Sequence, residues 1–447
     1  MMPTPIWNYV RLYKESQALR FHMPGHKGIP FLGAEPFDIT EIVGADSLYE
    51  ANGIIKESEK NAGTLFGAET FYSTEGSSLC IRAMLYLTVL YAKQSGRKPL
   101  IAAGRNAHKA FLTAAAMLDF KILWLHPEQK SSYLSCRIHP AELEKNLKES
   151  APRPTAVYLT SPDYLGNTVD IYALAEVCHK YGVLLLVDNA HGAYLKFLPQ
   201  SLHPIDLGAD MCCDSAHKTL PVLTGGAYLH ISPAAPRLFA EQAKNAMALF
   251  GSTSPSYLIL QSLDRANQYL SEGYPAKLKT FMSDMAGLKA RLMQQGFSLL
   301  GDEPLKLTIE AKKYGYTGKQ LAAILLEKNI VCEFSDPDDL VLMTTPETGT
   351  DNLKSLEAAL LSIPQKDEIN EKKPRLSIPV RVLSVREASL SNRETVPTES
   401  CAGRILASVH IACPPAVPIV VCGERIDDNA VQCLRYYGIA SCDVVAD

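Results

Sequence analysis

Short apolar runs alternate with helical patterns from about Ala68 to Ile231. This alternation is typical of a mostly parallel β-sheet covered by helices. The apolar runs predict seven strands, at 69–73, 100–103, 121–125, 156–160, 183–188, 211–214 and 227–231. Apolar residues spaced three and four apart predict helices in the gaps, at 78–93, 109–119, 140–148 and 172–180. We therefore expect a seven-stranded α/β domain in this part of the chain.

The remainder of the chain divides into smaller parts. A long amphipathic helix is predicted at 273–295, followed by strand, strand, helix, strand, strand and helix as far as Leu361. Residues 364–375 are polar, charged and bounded by prolines, which is typical of a linker. We predict the following domains: an N-terminal segment at 1–60, a large domain at 61–270, a small α/β domain at 271–363 and a C-terminal α+β domain at 376–447.

The composition indicates a folded protein that acts on a small molecule. Of the 447 residues, 47% are hydrophobic and 21% are charged, close to the average for globular proteins. The formal net charge is −4, and the sequence has no basic block that would indicate binding to nucleic acid or anionic lipid. Neither a signal peptide nor a transmembrane segment is indicated, so we expect a cytoplasmic location.

A lysine follows the predicted strand 211–214. Lys218 has Ser215 three residues before it and His217 beside it. An amine at a strand end, next to short hydrogen-bond donors, can form a Schiff base with an aldehyde cofactor. Taken alone, the tetrapeptide 215–218 favours a lysine in a solvated loop.

A carboxylate and a histidine follow the predicted strand 183–188. Asp188 ends this strand, where an acid can hydrogen-bond a pyridinium nitrogen and keep it protonated. The same residue can instead cap the following turn. His191 lies three residues further on.

Two further strand ends carry candidate ligand-binding residues. A Gly76-Ser77-Ser78 turn precedes a helix, and backbone N–H groups with serine hydroxyls there can bind a phosphate dianion. Ordinary N-capping by serine explains the turn equally well. His108 follows the next strand, where its ring can stack on a planar cofactor or serve a structural role. All these residues are predicted at the edge where open α/β sheets bind ligands.

In this order, the residues resemble those of the bacterial-type ornithine/lysine/arginine decarboxylases, which use pyridoxal 5′-phosphate (PLP) and have the aspartate-aminotransferase fold. The resemblance covers nearly the whole chain in fixed order. Its segments are RFHMPGHKG (20–28), DITEIVGADSLYE (38–50), GSS (76–78), RNAHK (105–109), SPDYLGN (161–167), VDNAHGA (187–193), SAHKTLPVLT (215–224), STSPSYLILQSLD (252–264), AGRI (402–405) and PPAVPIVVCGE (414–424).

The resemblance implies a role for each candidate residue. Lys218 would carry PLP as a Schiff base, His108 would stack on the ring and Asp188 would contact the ring nitrogen. His191 would lie on the substrate side. The residues implied to hold the phosphate are Gly76, Ser77, Ser78, Ser215, His217 and, from the neighbouring subunit, Ser252 or Thr253. That last role implies a homodimer or a larger homo-oligomer with shared active sites.

Three positions depart from the family pattern. Asn189 stands where glutamate is usual, Ala416 where glycine is usual and Cys422 where proline is usual. These departures concern the rim of the site and the choice of substrate. His22 and His26 are four residues apart, but the intervening Pro-Gly breaks any helix that would bring them together, so no metal site is predicted.

The resemblance implies decarboxylation of a basic amino acid, lysine, arginine or ornithine, to an amine and CO2, as in polyamine metabolism. One alternative is another PLP-dependent reaction on the same fold, such as transamination or side-chain elimination. A second alternative is a member that binds PLP or a partner without turnover, for which Asn189 leaves room. The expected partner is a small-molecule amino acid, with neither nucleic acid nor a membrane.

Overall fold

The computed structural model describes residues 1–126, 132–374, 377–409 and 416–446. It confirms a seven-stranded, mostly parallel sheet, with strand order β1-β7-β6-β5-β4-β2-β3. Strand β7 runs antiparallel to both of its neighbours, whereas β5 is parallel to β4 and β6. The strands are β1 (Glu69–Ser73), β2 (Leu100–Gly104), β3 (Lys121–Leu125), β4 (Ala156–Thr160), β5 (Leu184–Asp188), β6 (Met211–Asp214) and β7 (Ala227–Ile231).

Ten helices accompany these strands in the described residues. They are α1 (Pro5–Glu15), α2 (Ile54–Phe66), α3 (Gly76–Gln94), α4 (Lys109–Leu118), α5 (Pro140–Glu149), α6 (Ile171–Lys180), α7 (Ala216–Thr219), α8 (Arg237–Ala248), α9 (Tyr257–Ser271) and α10 (Tyr274–Gln294). The five that were predicted, α3, α4, α5, α6 and α10, begin and end within a few residues of the predicted positions, and the other five were not predicted. No helix in the described ranges is long and apolar enough to cross a membrane.

The chain divides into two compact units, and neither unit is a single continuous segment. The first consists of Met1–Pro99, Thr155–Ser161 and Ile171–Lys277, and the second of Leu100–Pro154, Pro162–Asp170 and Leu278–Asp447. The predicted domain boundaries stay predictions. Of the predicted segments, position 375 at the end of the linker, position 376 at the start of the C-terminal domain and positions 414 and 415 of the PPAVPIVVCGE segment lie outside the described residues.

The core of the first unit is formed around strands that are buried on both faces. Every residue of β5, β6 and β7 is buried, so these strands are mostly apolar and show no alternating pattern, with Asp188, Asp214 and His230 as their polar members. Helix α3 contributes eleven buried residues, among them Leu79, Met84 and Leu87. This packing fixes the ends of β5 and β6, the two strands that carry the candidate catalytic residues.

The second unit contains a four-stranded sheet in the order β10-β11-β9-β8. The predicted succession of strand, strand, helix, strand, strand and helix is present there. A final pair of antiparallel strands, β12 and β13, forms a small α+β part with α14. These elements are β8 (Leu299–Leu300), β9 (Lys306–Glu310), α11 (Gly318–Leu326), β10 (Phe334–Ser335), β11 (Asp339–Met343), α12 (Thr350–Leu361), α13 (Val385–Ser389), β12 (Arg393–Pro397), α14 (Asp428–Tyr436) and β13 (Ser441–Val445).

Two of the three departures from the family pattern lie in the second unit. Ala416 is buried and has a φ of 56°, a left-handed conformation that favours glycine. Its carbonyl oxygen accepts a hydrogen bond from the backbone N–H of Lys109, which fixes this strained position. Cys422 is also buried, and its thiol lies 3.1 Å from the carbonyl oxygen of Ala407.

Replacing Ala416 by glycine is expected to stabilise the protein. The left-handed conformation costs alanine about 1–2 kcal/mol of stability, which glycine would recover. Glycine also has more conformational freedom in the unfolded chain, and this lowers the stability of the folded state by about 0.5–1 kcal/mol. A net gain of up to about 1 kcal/mol should appear as a higher midpoint of thermal unfolding. Ala114→Gly in the middle of α4 is the control, and it should lower the midpoint. An unchanged or lower midpoint for Ala416→Gly would contradict the assignment of strain.

Candidate active site

Asp188 is the last residue of β5, and its side chain is buried and hydrogen-bonded on both oxygens. The Tyr158 hydroxyl donates to Oδ2 at 2.9 Å, and the backbone N–H of Ala190 donates to Oδ1 at 3.2 Å. The second bond is the turn-capping interaction considered from the sequence. Burial raises the pKa of Asp188, while the positive charge of Lys218 and the Tyr158 hydroxyl act in the opposite direction. An anionic Asp188 is therefore stabilised by a cation nearby.

Lys218 lies in the short helix α7, which follows β6. Its Nζ is 3.1 Å from Nε2 of His191, in the loop after β5. His191 is buried, at 6% exposure, and Lys218 is half-buried. The structure therefore brings Lys218 and His191 together. A proton can pass between the two nitrogens at this distance.

Ser77 and Ser215, predicted to bind phosphate, are in contact at the N-terminus of α3. The Ser215 hydroxyl donates to Ser77 Oγ at 2.8 Å, and both residues are buried. Neither Ser77 nor Ser78 is the N-cap of α3, a position held by Glu75 without a side-chain capping bond. Gly76 has a φ of 69°, and a Cβ added to it would meet no atom within 4 Å. The first turn of α3 thus borders open space that an anion can occupy.

His217 and His108 both have defined local hydrogen bonds. Nδ1 of His217 lies 2.9 Å from the carbonyl oxygen of Gly226, and burial lowers the pKa of this histidine. His108 is the N-cap of α4, where its Nδ1 accepts from the Ala110 N–H at 3.1 Å. His108 belongs to the second unit and the other candidates to the first, so its stacking on a cofactor stays a prediction.

Ser252 and Thr253 are exposed at the surface of the first unit. The backbone N–H of Ser252 donates to Oε1 of Glu75, the residue before the first turn of α3 in the same chain. The segment therefore lies beside the N-terminus of α3 of its own chain. Its predicted contribution to a neighbouring subunit stays a prediction.

Several polar residues near these side chains were not identified from the sequence. Tyr158 in β4 donates to Asp188, and Asp214 at the end of β6 is buried with His203 and His230. The last three form a group that could hold a metal ion. The sequence does show Tyr158 two residues before the end of a predicted strand and Asp214 directly before Ser215. Their partners come from distant segments and could not be read from spacing.

The residues present fit a PLP group. The buried acid Asp188 needs a positive partner, which a protonated ring nitrogen would supply. The amine of the half-buried Lys218 lies 3.1 Å from His191, and its positive charge lowers the pKa of Asp188. The open space over Gly76, with the hydroxyls of Ser77 and Ser215 beside it, suits a phosphate.

Comparison with models of protein families identifies the family of this chain. Residues 4–292 match the model of the Orn/Lys/Arg decarboxylase major domain, and residues 379–442 match that of the C-terminal domain. The chain belongs to the Orn/Lys/Arg decarboxylase family. This membership confirms the resemblance found in the sequence and, at the level of the family, the prediction of an amino-acid decarboxylase.

Relatives of similar length support the family assignment. An arginine decarboxylase of Halalkalibacterium halodurans is 30% identical over 97% of this chain and 93% of that protein. An arginine decarboxylase of Bacillus subtilis is 28% identical over 96% of this chain and 92% of that protein. The uncharacterized protein YaaO of the same organism is 30% identical, over 96% of this chain and 93% of its own length.

Solved structures show that the fold is shared. The lysine decarboxylase LdcF of Francisella novicida superposes with a TM-score of 0.81, covering 100% of this chain and 81% of that chain at 17% identity. The lysine decarboxylase A of Pseudomonas aeruginosa superposes with a TM-score of 0.80 at 18% identity, covering 99% of this chain and 80% of that one. The predicted fold class is confirmed by these family members.

Proposed function

We propose that this family member is a PLP-dependent decarboxylase of a basic amino acid, with arginine as the first substrate to test. The observation that carries the proposal is the convergence of the buried Asp188 and His191 with the half-buried Lys218, after the ends of β5 and β6. Arginine comes first because relatives of full length at 28–30% identity carry that activity in their names. Lysine and ornithine are the competing substrates.

When bound, PLP supplies an electron sink for the electron pair released as the bond between the α-carbon and the carboxylate breaks. Lys218 would hold the cofactor, and the Asp188 carboxylate would keep a proton on its ring nitrogen. The first turn of α3, with the hydroxyls of Ser77, Ser78 and Ser215 and the ring of His217, would hold its phosphate. Orienting the bond to be broken and excluding water are the main tasks left to the protein.

Proton return to the α-carbon is assigned to the Lys218–His191 pair. The 3.1 Å separation of Nζ and Nε2 allows one nitrogen to carry the proton while the other accepts it. Burial of His191 limits the access of bulk water to this side of the pair. His191 therefore serves either as the proton donor or as the group that returns Lys218 to its protonated form.

We also propose that the protein is a cytoplasmic dimer and that it acts on a small molecule in polyamine metabolism.

The proposed dimer is supported by the N-terminal segment. Large apolar side chains are exposed there, which is unusual unless another surface covers them. Phe21 is 93% exposed and Leu32 is 94% exposed. The other exposed large apolar residues of this segment are Met1, Leu12, Leu19, Met23, Ile29, Phe31 and Val43. A second copy of the chain is the proposed cover.

An amine-release assay across a panel of amino acids tests the proposed function. Purified protein with added PLP would be given arginine, lysine, ornithine and non-basic amino acids, and CO2, amines and oxo acids would be measured. Carbon dioxide with the matching amine is the expected result. An oxo acid would indicate transamination instead, and PLP binding without any product would indicate a member without turnover.

Mixing two inactive variants should restore part of the activity if the active site is shared. In a mixed dimer, the subunit with Ser252→Ala/Thr253→Ala keeps Lys218, and its Lys218→Ala partner keeps the hydroxyls, so one site is complete. Each hydroxyl lost from the phosphate should weaken PLP binding by about ten- to a hundredfold. An equal mixture should recover activity in about a quarter of its sites.

Subunit exchange must be shown independently, for example by native mass spectrometry of differently tagged chains. The double serine–threonine variant must also bind PLP poorly before mixing. Exchange without recovered activity would mean that Ser252 and Thr253 act in their own chain, beside Glu75, or have no role in binding PLP.

A further inference from the structure

A buried polar cluster lies directly behind the candidate active site. Its centre is Asp214, the last residue of β6, which is completely buried. Oδ2 of Asp214 lies 3.1 Å from Nε2 of His203 and 3.2 Å from Nε2 of His230. Oδ1 accepts a 2.7 Å hydrogen bond from Nδ2 of Asn189. Asp214 thereby connects residues from β6, β7 and the segments after β5.

The charge of Asp214 is stabilised within this cluster. Burial alone would raise the pKa of Asp214, but the two histidines hold it well below the usual value for aspartate. The ring of Phe66 packs against both histidines, with centroid distances of 5.4 Å to His203 and 4.4 Å to His230. Nδ1 of His230 lies 2.9 Å from the Thr70 hydroxyl, which fixes the orientation of that ring.

Asn189 is held in a single orientation toward Asp214. Gly192 leaves room for the side-chain amide of Asn189, because a Cβ at position 192 would lie 2.0 Å from Asn189 Oδ1. The amide nitrogen must face the carboxylate, because an amide oxygen there would be repelled. Asn189 also lies between Asp188 and His191 in the chain, and Asp214 directly precedes Ser215. Each residue of the pair is therefore adjacent to residues proposed to hold PLP.

We infer that Asn189 and Asp214 are a pair of positioning residues that fixes the end of β5 against the end of β6 for PLP binding. This inference rests on the proposed function and gives a role to Asn189, one of the departures from the family pattern. A glutamate at position 189 would place a second carboxylate against Asp214 in a site without solvent. The neutral amide of Asn189 and the anionic Asp214 are therefore matched to each other.

The direction of the hydrogen bond provides a test, because it can be reversed without changing side-chain volume. Asn189→Asp alone sets two carboxylates against each other, and Asp214→Asn alone removes the anion that both histidines contact. In Asn189→Asp/Asp214→Asn the amide of position 214 can donate to the new aspartate while its oxygen accepts from both histidines. A double-mutant cycle then measures the coupling between the two positions.

The primary readout is the dissociation constant of PLP, measured by equilibrium dialysis with the full-length chain, together with the pH profile of the cofactor's absorbance. Each single variant is expected to bind PLP at least about tenfold more weakly, and the double variant to return to within about threefold of the unmodified chain. Asn189→Ala, which removes the donor without adding charge, replaces Asn189→Asp if the latter does not fold.

Ser58→Ala is the matched control for a purely structural effect. The Ser58 hydroxyl donates to Oδ1 of the buried Asp264 at 2.6 Å, and neither residue is among those proposed to hold PLP. This variant should lower the unfolding temperature of the apoprotein without changing PLP affinity or the pH profile. If the single variants behave in the same way, the cluster is structural only and the inference is wrong.

Other outcomes would also overturn the inference. A double variant no better than the weaker single variant would show that the two positions are not coupled. A stoichiometric metal ion in the purified protein would mean that Asp214 and the histidines are metal ligands rather than hydrogen-bond partners. An unmodified chain that binds no PLP would overturn the proposed function as well, whereas unaltered PLP affinity in the single variants would overturn this inference alone.

Discussion

Lys218→Ala should abolish covalent attachment of PLP and reduce turnover by at least about 10⁴-fold, while the fold stays intact. The reason is that alanine lacks the amine proposed to hold the cofactor and to share a proton with His191. The chain should still bind PLP non-covalently, because Asp188 and the first turn of α3 are unchanged. Borohydride reduction followed by mass spectrometry measures covalent PLP directly.

Lys93→Ala is the control for Lys218→Ala. Lys93 is an exposed lysine in the last turn of α3, so its loss should change neither PLP attachment nor turnover. Circular dichroism and thermal unfolding should show that both variants are folded. Lys218 is not the anchor if its alanine variant keeps a reducible PLP adduct at the level of the unmodified chain.

Asp188→Ala should reduce turnover by about 10²- to 10⁴-fold, a larger loss than the accompanying loss of PLP affinity. The proposed role of Asp188 is electronic, since its negative charge keeps a proton on the ring nitrogen. The phosphate contacts are unaffected and should retain much of the binding energy. Steady-state kinetics at saturating PLP, combined with equilibrium dialysis, separate the two effects.

Tyr158→Phe distinguishes the charge of Asp188 from its hydrogen bonds. This variant removes the bond to Oδ2 but keeps the carboxylate, so turnover should fall by no more than about tenfold. The Tyr158 hydroxyl lowers the pKa of Asp188, so its removal should raise that pKa and shift the acid limb of the pH–rate profile to higher pH. Turnover of Asp188→Ala equal to that of the unmodified chain at saturating PLP would rule out the electronic role.

The strands of the large sheet could be predicted from sequence because each is a short apolar run of nearly constant length. All five residues of β1, β3, β4 and β7 coincide with the predicted ranges. In β4 and β7, burial of nearly every residue leaves little polar interruption, whereas β1 and β3 are partly exposed and were predicted from their apolar and aromatic residues. The position of Asp188 and Ser215 at strand ends followed from the same pattern. The parallel arrangement then placed those ends at one edge of the sheet.

Side-chain partners were harder to predict, because contact depends on how distant segments pack. The 3.1 Å approach of Lys218 to His191 joins helix α7 to the loop after β5, and neither sequence segment indicates the other as its partner. The cluster around Asp214 is a stronger example, because His203, His230 and Asn189 come from three different elements. Recognising such a group requires the register between strands, which pairs Cys212 with His230 and so places His230 beside β6.

The position of β7 in the sheet has a consequence for synthesis of the chain. β7 lies between β1 and β6, and Ser73 of β1 pairs with Ala227 of β7. A nascent chain therefore holds β1 without this partner until β7 has left the ribosome, and closing so long a loop slows folding. During that interval β6 presents an open edge able to pair with other chains. Early release of the nascent chain would thus favour aggregation, and a chaperone that covers this edge would favour the native sheet.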